Sequence, residues 1–515
     1  MSKIKALAIY LPQFHEVKEN NEWWGRGFTE WTAVKSNEPY FENQRQPRVP
    51  YGENYYDLMN KETFEHQAEL IKKYGIYGFC FYHYYFKDNK KILEKPVEKL
   101  LEWQDINIPF CFNWASESWV RSWSKIYGNV WGEKCENKDI KIGKEILLQE
   151  YYGEEEAWKE HFNYLLPFFK DRRYIKKDGK PVFIFYNANR IICLSEMIEY
   201  WNKLAIENGF EGMYIIGEHL QMPVANLDAA LIQQPDDVIT YLNNKDKSFI
   251  KNGVRCYEYS DVVDRVCNVE KVVGYNKCYY MAQVGLDDTP RRGVNGSCMV
   301  NDSPELFEKM MDGLYKKTIK AQNEYVFINA WNEWGEGMYL EPDMDYKYGY
   351  LEALGRIITK YQNVEVDDSC ENYEKSADNE QLTQLFNDLQ RHRYLFNVAV
   401  HFLNCVQEEY SFREYFEKNN VKNVAVYGLG IVGKSLIYQL EKEGVNISYV
   451  VDRIVGNIGE KYICYRPEEE FTYTDMLIVT SYGYESIKER LSGSNSKNIR
   501  KIVSIDEILG EINGQ

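Results

Sequence analysis

The chain is poor in the residues that build metal sites and covalent staples. Its seven histidines and 11 cysteines are scattered through 515 residues with no CxxC pair. No zinc framework or disulfide scaffold is visible in that spacing, so no metal is expected. The cysteines read as ordinary thiols in a reducing compartment. No run of about 18 apolar residues occurs, so no membrane-spanning helix is expected. Met1-Ser2-Lys3-Ile4-Lys5 leads straight into an apolar segment without the features of a secretory signal. The cytoplasm is therefore the expected location. Positive charge is short as well: 62 Lys and Arg against 79 Asp and Glu give a net charge of −17. That balance argues against nucleic acid and anionic membrane surfaces as partners. It sets no limit on a neutral ligand.

Hydrophobic residues make up 44% of the chain, enough for a large core, and aromatics reach 15%. No tandem repeat or low-complexity segment stands out. The length suggests about two to four domains, although one (β/α)₈ barrel uses roughly 250 residues or more. Short apolar, β-rich runs recur at Ala6–Leu11, Tyr77–Tyr82, Phe110–Trp114, Val182–Tyr186, Met213–Gly217, Ala229–Gln233, Tyr279–Val284 and Tyr325–Ala330. Helical patterns lie between several of them, at Thr63–Tyr74, Pro96–Trp103, Glu155–Phe169, Ser195–Asn208 and Pro304–Gln322. Such alternation implies parallel strands joined by crossover helices, and eight runs fit a (β/α)₈ (TIM) barrel over residues 1–365. Polar and aromatic residues cluster just after these strands, where barrel enzymes build their sites.

The densest cluster follows the eighth run: Trp331-Asn332-Glu333-Trp334-Gly335-Glu336-Gly337. Two carboxyls flanking one bond are what glycoside chemistry needs, one to donate a proton and one to remove a proton or attack. Glu336, between two glycines, is expected as an acid with a raised pKa, and Glu333 as an ionised base. The spacing requires a turn for both to share a face. The alternative for each is a carboxylate that only orients an Arg or an amide. Trp331, Asn332 and Trp334 are candidate sugar-gripping neighbours. So is the loop Tyr10, Gln13, His15, Trp23, Trp24, Arg26, Glu30 and Trp31, where the alternative is a structural plug with Arg26 paired to Glu30. His83 and Tyr84 after the second run, and Trp114, Glu117 and Trp119 around the third, are candidates for the same mouth. A lone His such as His83 is as readily structural. Arg291 and Arg292 read either as site residues or as partners of the acids beside them. Asp343-Met344-Asp345 has the letters of a sugar-nucleotide metal site but reads as surface.

Residues 366–420 look like a helical linker. From Val421 a strand at Asn423–Tyr427 runs into Gly428-Leu429-Gly430-Ile431-Val432-Gly433, then a helix and a second strand ending at Asp452. GxGxxG between strand and helix, with an acid about 20 residues on, fits a dinucleotide site in a small Rossmann-like domain over 421–515. Gly428, Gly430, Gly433 and Asp452 would hold NAD or another nucleotide. The alternative is that the glycines serve a tight turn and close helix packing, in an adaptor module.

The run Ala8–His15, the stretch Trp23–Trp31, Asp288–Arg292, and Asn332–Gly337 with Leu340-Glu341-Pro342 resemble the WbsX-like family. That family is related to glycoside hydrolase family 99. The resemblance covers about residues 4–360. It implies a (β/α)₈ barrel that needs no metal or other cofactor, and an oligosaccharide or polysaccharide substrate. It also implies a place in O-antigen or capsule (lipopolysaccharide-type) metabolism, where many members are described as glycosyltransferases. Family 99 enzymes retain configuration: one glutamate deprotonates the sugar 2-hydroxyl to give a 1,2-anhydro sugar, and the other serves as acid and then base. By position, Glu333 would be the 2-hydroxyl base and Glu336 the acid/base. Gly335 departs from the His that the hydrolases usually carry, and Ala115-Ser116-Glu117-Ser118-Trp119 departs from Ala-Asn-Glu-Asn-Trp. Both departures bear on which sugar is bound. The readings that follow are a retaining glycosidase or transglycosylase, a glycosyltransferase, or a non-catalytic scaffold whose tail recruits partners.

Overall fold

The computed structural model describes the chain apart from residues 1, 117–118, 121–145, 149–151, 153–154, 192, 221–223, 273, 276, 368–390, 393, 397, 406–409, 453–460, 485–486, 489–490, 492–496 and 513–515. Its contacts divide it into two units, Met1–Glu380 and Gln381–Gln515.

The first unit is a closed barrel of eight strands: β1 (Lys5–Tyr10), β2 (Gly78–His83), β3 (Phe110–Trp114), β4 (Lys180–Phe185), β5 (Tyr214–Gly217), β6 (Ala229–Ile232), β7 (Cys278–Gln283) and β8 (Tyr325–Asn329). Each pairs in parallel with the next, and β8 returns to β1 with Val326 opposite Ala6. All five residues of β3 and of β8 are buried. Strands covered on both faces need apolar side chains on both, which is why the sequence shows them as continuous runs.

Alternation along each strand sorts side chains to the two faces. Tyr214 and Tyr279 share a hydrogen bond at 2.8 Å inside the barrel, and Tyr279 packs on Tyr325 and Phe327. On the outer face Phe183 and Phe185 pack on Trp201. The short helix α1 (Glu30–Ser36) packs on the turns that follow β7 and β8 at the mouth, and the outer layer contains α2 (Lys61–Tyr74), α3 (Lys95–Glu102), α4 (Glu155–Lys170), α5 (Leu194–Glu207), α6 (Asp236–Asn244), α7 (Tyr259–Asn268), α8 (Pro304–Lys320) and α9 (Gly349–Tyr361). In α2 the buried residues Phe64, Gln67, Leu70, Ile71 and Tyr74 form one stripe, and Gly75 ends the helix at φ 79°. Burying each large apolar side chain of such a stripe contributes roughly 1.5–3 kcal/mol. No helix separates β5 from β6 among the described residues.

The second unit carries a five-stranded parallel sheet: β9 (Asn423–Tyr427), β10 (Asn446–Val451), β11 (Cys464–Tyr465), β12 (Thr474–Val479) and β13 (Ile499–Ser504), in the order β11-β10-β9-β12-β13. Chain order therefore reverses between β9 and β12, as in doubly wound sheets. The helices α10 (Phe412–Lys418), α11 (Ile431–Lys442) and α12 (Ile505–Ile512) belong to it. Val398, Cys405, Phe412, Tyr415 and Phe416 join its core. Much of the segment expected as a linker is thus part of this unit, because its apolar stripe has a sheet to cover. Among the described residues no helix is long and apolar enough to cross a membrane.

Candidate active site

After β8 the chain makes a tight hairpin. Asn332–Glu333 pairs antiparallel with Met338–Tyr339 around a 3₁₀ turn at Trp334–Glu336. Gly337 closes the turn at φ 64°, where a side chain is strained, and a Cβ there would also crowd the Asp287 amide. The turn brings Glu333 and Glu336 to one place. Both bond to the guanidinium of Arg291, from the helical turn Thr289–Arg292 after β7. Its Nη2 is 3.1 Å from Glu333 Oε2, and its Nη1 donates to Glu336 Oε1. A third carboxylate joins them: Glu30 Oε1, at the start of α1, accepts from Arg291 Nη2 at 2.7 Å and Nε at 3.1 Å.

Burial separates the two hairpin glutamates. The Glu333 side chain is 7% exposed and that of Glu336 is 28%. Burial pushes the Glu333 carboxyl up to about 8; the charges of Glu336 and Glu30 push the same way, against Arg291. Glu333, expected as an ionised base, is thus a carboxyl that burial helps to keep protonated. Arg291 itself stays fully charged, held by its three acids against the cost of burial.

Of the residues picked from sequence, Tyr84 lies beside this cluster. Burial raises its phenol, and Glu333, Arg291, Glu30 and Glu336 are the charges that act on it. Gln13 is buried next to Glu30, whose amide donates to its carbonyl at 3.2 Å. His15 is buried and its pKa falls to about 4 for that reason. Arg26 is exposed and is not the partner of Glu30; Arg291 is.

Several other aromatic residues expected to grip sugar are engaged within the fold. Tyr10 points outward from β1 and donates to Gln67 of α2 at 2.9 Å. Trp23 and Trp24 sit in an apolar cluster with Phe28, Phe86, Ile92 and Leu93. Trp31 donates to the Tyr56 carbonyl at 2.8 Å. Trp331 and Trp334 both donate to the buried carboxyl of Glu341, at 2.9 and 2.7 Å, and Trp334 stacks on Tyr339 at 3.7 Å. Asn332 is a clamp to β1, exchanging two hydrogen bonds with the backbone of Leu11. His83 shares a 2.8 Å hydrogen bond with His161 of α4, and Trp114 packs edge-on to the same imidazole. A cavity of about 100 Å³ lined by Tyr85, Trp114, Trp158 and His161 lies in that layer, away from both glutamates. Glu117 lies outside the described residues, and Trp119 falls in the two-residue strand Trp119–Val120.

Two further carboxyls near the mouth were given no role from sequence, although Glu218 follows the fifth run and Glu341 lies in a motif that carries the resemblance. Glu218, just past β5, is buried, accepts from Asn113 at 3.1 Å and is pushed up to about 8 by burial. Glu341 is pushed up to about 7, by burial, against hydrogen bonds from Trp334, Tyr56, Gln67 and Trp331. Arg292 pairs with Asp288 beside it, as one reading held, whereas Arg291 reaches the glutamates. Asp343 is buried rather than on the surface, bonded to Tyr339 and the Tyr346 amide, so its carboxylate is engaged within the fold. Among the described residues no group of three or more His, Cys, Asp or Glu is placed to hold a metal ion.

In the second unit Gly428 has φ 97°, and a Cβ on Gly433 would overlap the Gly428 carbonyl. A Cβ on Gly430 would meet open space. Asp452 Oδ2 accepts from the Leu429 amide at 2.5 Å, so the acid expected on a ribose is bonded to the glycine turn.

The family model described as "Glycosyltransferase WbsX" matches residues 6–354. "Uncharacterized protein WxcX" of Xanthomonas campestris pv. campestris is 28% identical over 368 residues, 70% of this chain and 50% of that protein. The chain thus spans about half the length of the curated relatives it matches. Among solved structures, a "Glycoside hydrolase-like protein" aligns over 69% of this chain and 94% of its own at 15% identity and TM-score 0.43. The GH99 endo-alpha-mannosidase from Bacteroides thetaiotaomicron aligns over 69% and 97% at 13% identity and TM-score 0.43.

Proposed function

The chain belongs to the WbsX glycosyltransferase family over residues 6–354, and from that premise we propose that it is a carbohydrate-active enzyme of surface-polysaccharide metabolism that works on a glycosidic bond with Glu333 and Glu336. One observation carries the reading: both carboxyls meet on one guanidinium at the end of β8, where barrel enzymes hold their chemistry. We assign a retaining reaction. Glu333 takes the proton of a sugar 2-hydroxyl as O2 attacks C1. The C1–O bond breaks, and Glu336 gives its proton to the leaving oxygen. Water or a sugar hydroxyl then opens the 1,2-anhydro ring at C1, losing its proton to Glu336, while Glu333 returns the first proton to O2. A carboxylate whose acid has a pKa near 8 is a far stronger base than an ordinary one. The more open Glu336 suits exchange with a leaving group and then an acceptor.

The family's description favours transfer as a second reading. Incubation with α-mannosyl and related oligosaccharides, with and without an added acceptor sugar, followed by NMR of the anomeric protons, separates the two. Retained reducing ends support hydrolysis, and longer oligosaccharides support transglycosylation. Turnover with sugar nucleotides alone would replace the assigned mechanism.

A further inference from the structure

We propose that Glu30 is a positioning residue for the Glu333–Glu336 pair, and that Gly335 is the residue that admits it. This rests on the enzymatic reading of the pair. Glu30 is 261 residues from Arg291 in sequence and 1% exposed. Its carboxylate bonds to Nε and Nη2 of Arg291, so it is the buried anchor of that guanidinium. It reaches Arg291 by crossing the space above Gly335: a Cβ on residue 335 would overlap Glu30 Oε1 and lie 3.1 Å from Arg291 Nε. Gly335 lies in a turn of ordinary helical sense, so no positive φ requires glycine there. What requires it is the close approach of the carboxylate.

The consequence is competition for one cation. Arg291 Nη2 stands 2.7 Å from Glu30 and 3.1 Å from Glu333. With Glu30 taking the closer position, Arg291 is fixed in place yet neutralises Glu333 only in part. Three carboxylates on one guanidinium leave excess negative charge in a buried place, and such a group retains a proton. The groups that face Glu333 are Arg291 from the β7 turn, Glu30 from α1, Glu336 from its own hairpin, and the phenols of Tyr82 in β2 and Tyr84 just after it. Glu30 enters from α1, and its carboxylate bonds to Arg291. Its influence on Glu333 therefore runs through Arg291 and through space.

Two independent changes test this on the full chain. Glu30→Gln removes the charge and keeps the shape; Gly335→Ala keeps the charge and crowds it off Arg291. The readout is pH-difference infrared spectroscopy of the protonated-carboxyl band, with the Glu333→Gln spectrum subtracted to isolate Glu333. The expected result is that the Glu333 band titrates lower by roughly one pH unit in Glu30→Gln. Gly335→Ala should move it as well, and by less in a Glu30→Gln background. Glu30→Asp, which keeps the charge, should restore part of the shift. A band that titrates unchanged in both single variants overturns the proposal, as does a Gly335→Ala shift of equal size with and without Glu30. A variant that fails to fold leaves the other to decide. This measurement needs no turnover: unchanged activity in Glu336→Gln would remove the enzymatic reading, whereas an unmoved band with activity lost in Glu336→Gln would remove only the role of Glu30.

Discussion

At the scale of single residues, the site turns on how much solvent reaches each carboxyl. Glu336, the more open of the pair, is expected to be replaceable by Gln without loss of fold. Turnover in Glu336→Gln should fall by roughly 10²–10⁴-fold, the usual worth of a general acid–base group, with the melting temperature nearly unchanged. Steady-state kinetics beside thermal unfolding checks both parts. The pH profile tests the pair as a unit. The assigned step needs one proton on it, so kcat/KM should fall as pH rises through about 8, where the pair loses its last proton and with it the donor to the leaving oxygen. A profile that climbs through the same window would contradict a proton-donating pair. The residue-scale lesson from the sequence is mixed. The Glu333–Glu336 spacing, with its need for a turn, was legible because the glycines stand beside it. Arg291 was ambiguous because acids lie next to it, and its real partners are 42, 45 and 261 residues away. The indoles misled: Trp331 and Trp334 looked like a sugar platform, but one buried carboxyl at Glu341 takes both of their N–H groups. No local pattern announces that link.

At the scale of elements, the strands were read almost to the residue. Tyr325–Ala330 in the sequence became Tyr325–Asn329, and Phe110–Trp114 was unchanged. Buried parallel strands leave an unbroken apolar signature. Helices with thin stripes were missed: α6 buries only Val238 and Leu242. The glycine-rich turn of the second unit offers a separate test. Gly433→Ala would drive a Cβ into the Gly428 carbonyl where α11 starts against β9, whereas Gly430→Ala meets open space at φ −67°. The first variant should lower the melting temperature of this unit by several degrees and the second should leave it unchanged, as read by circular dichroism. Equal effects would mean that the two glycines are not distinguished by packing.

At the scale of the molecule, four buried acids of the barrel unit hold protons that an unfolded chain would release. Glu333 and Glu218 are pushed up to about 8, and Glu341 and Asp288 to about 7, burial being the largest cause in each. A group protonated in the fold and ionised in the unfolded chain makes stability fall as pH rises. Three buried imidazoles, His15, His83 and His161, act oppositely, but their effect ends near the ordinary histidine value of 6.5. Between about pH 6.5 and 8 the acids therefore dominate, each contributing at most ~1.4 kcal/mol per pH unit while it stays protonated. Denaturant unfolding across that range should show the barrel unit weakening with rising pH, and a flat or rising curve would contradict the burial of these groups. The ring of strands has one more consequence, in time. Ala6 finds its pairing partner in Val326, so the first strand leaves the ribosome long before the segment that must flank it exists. At about 5–20 residues per second that interval lasts roughly 15–60 s, during which a sticky, half-paired edge must be shielded from neighbouring nascent chains.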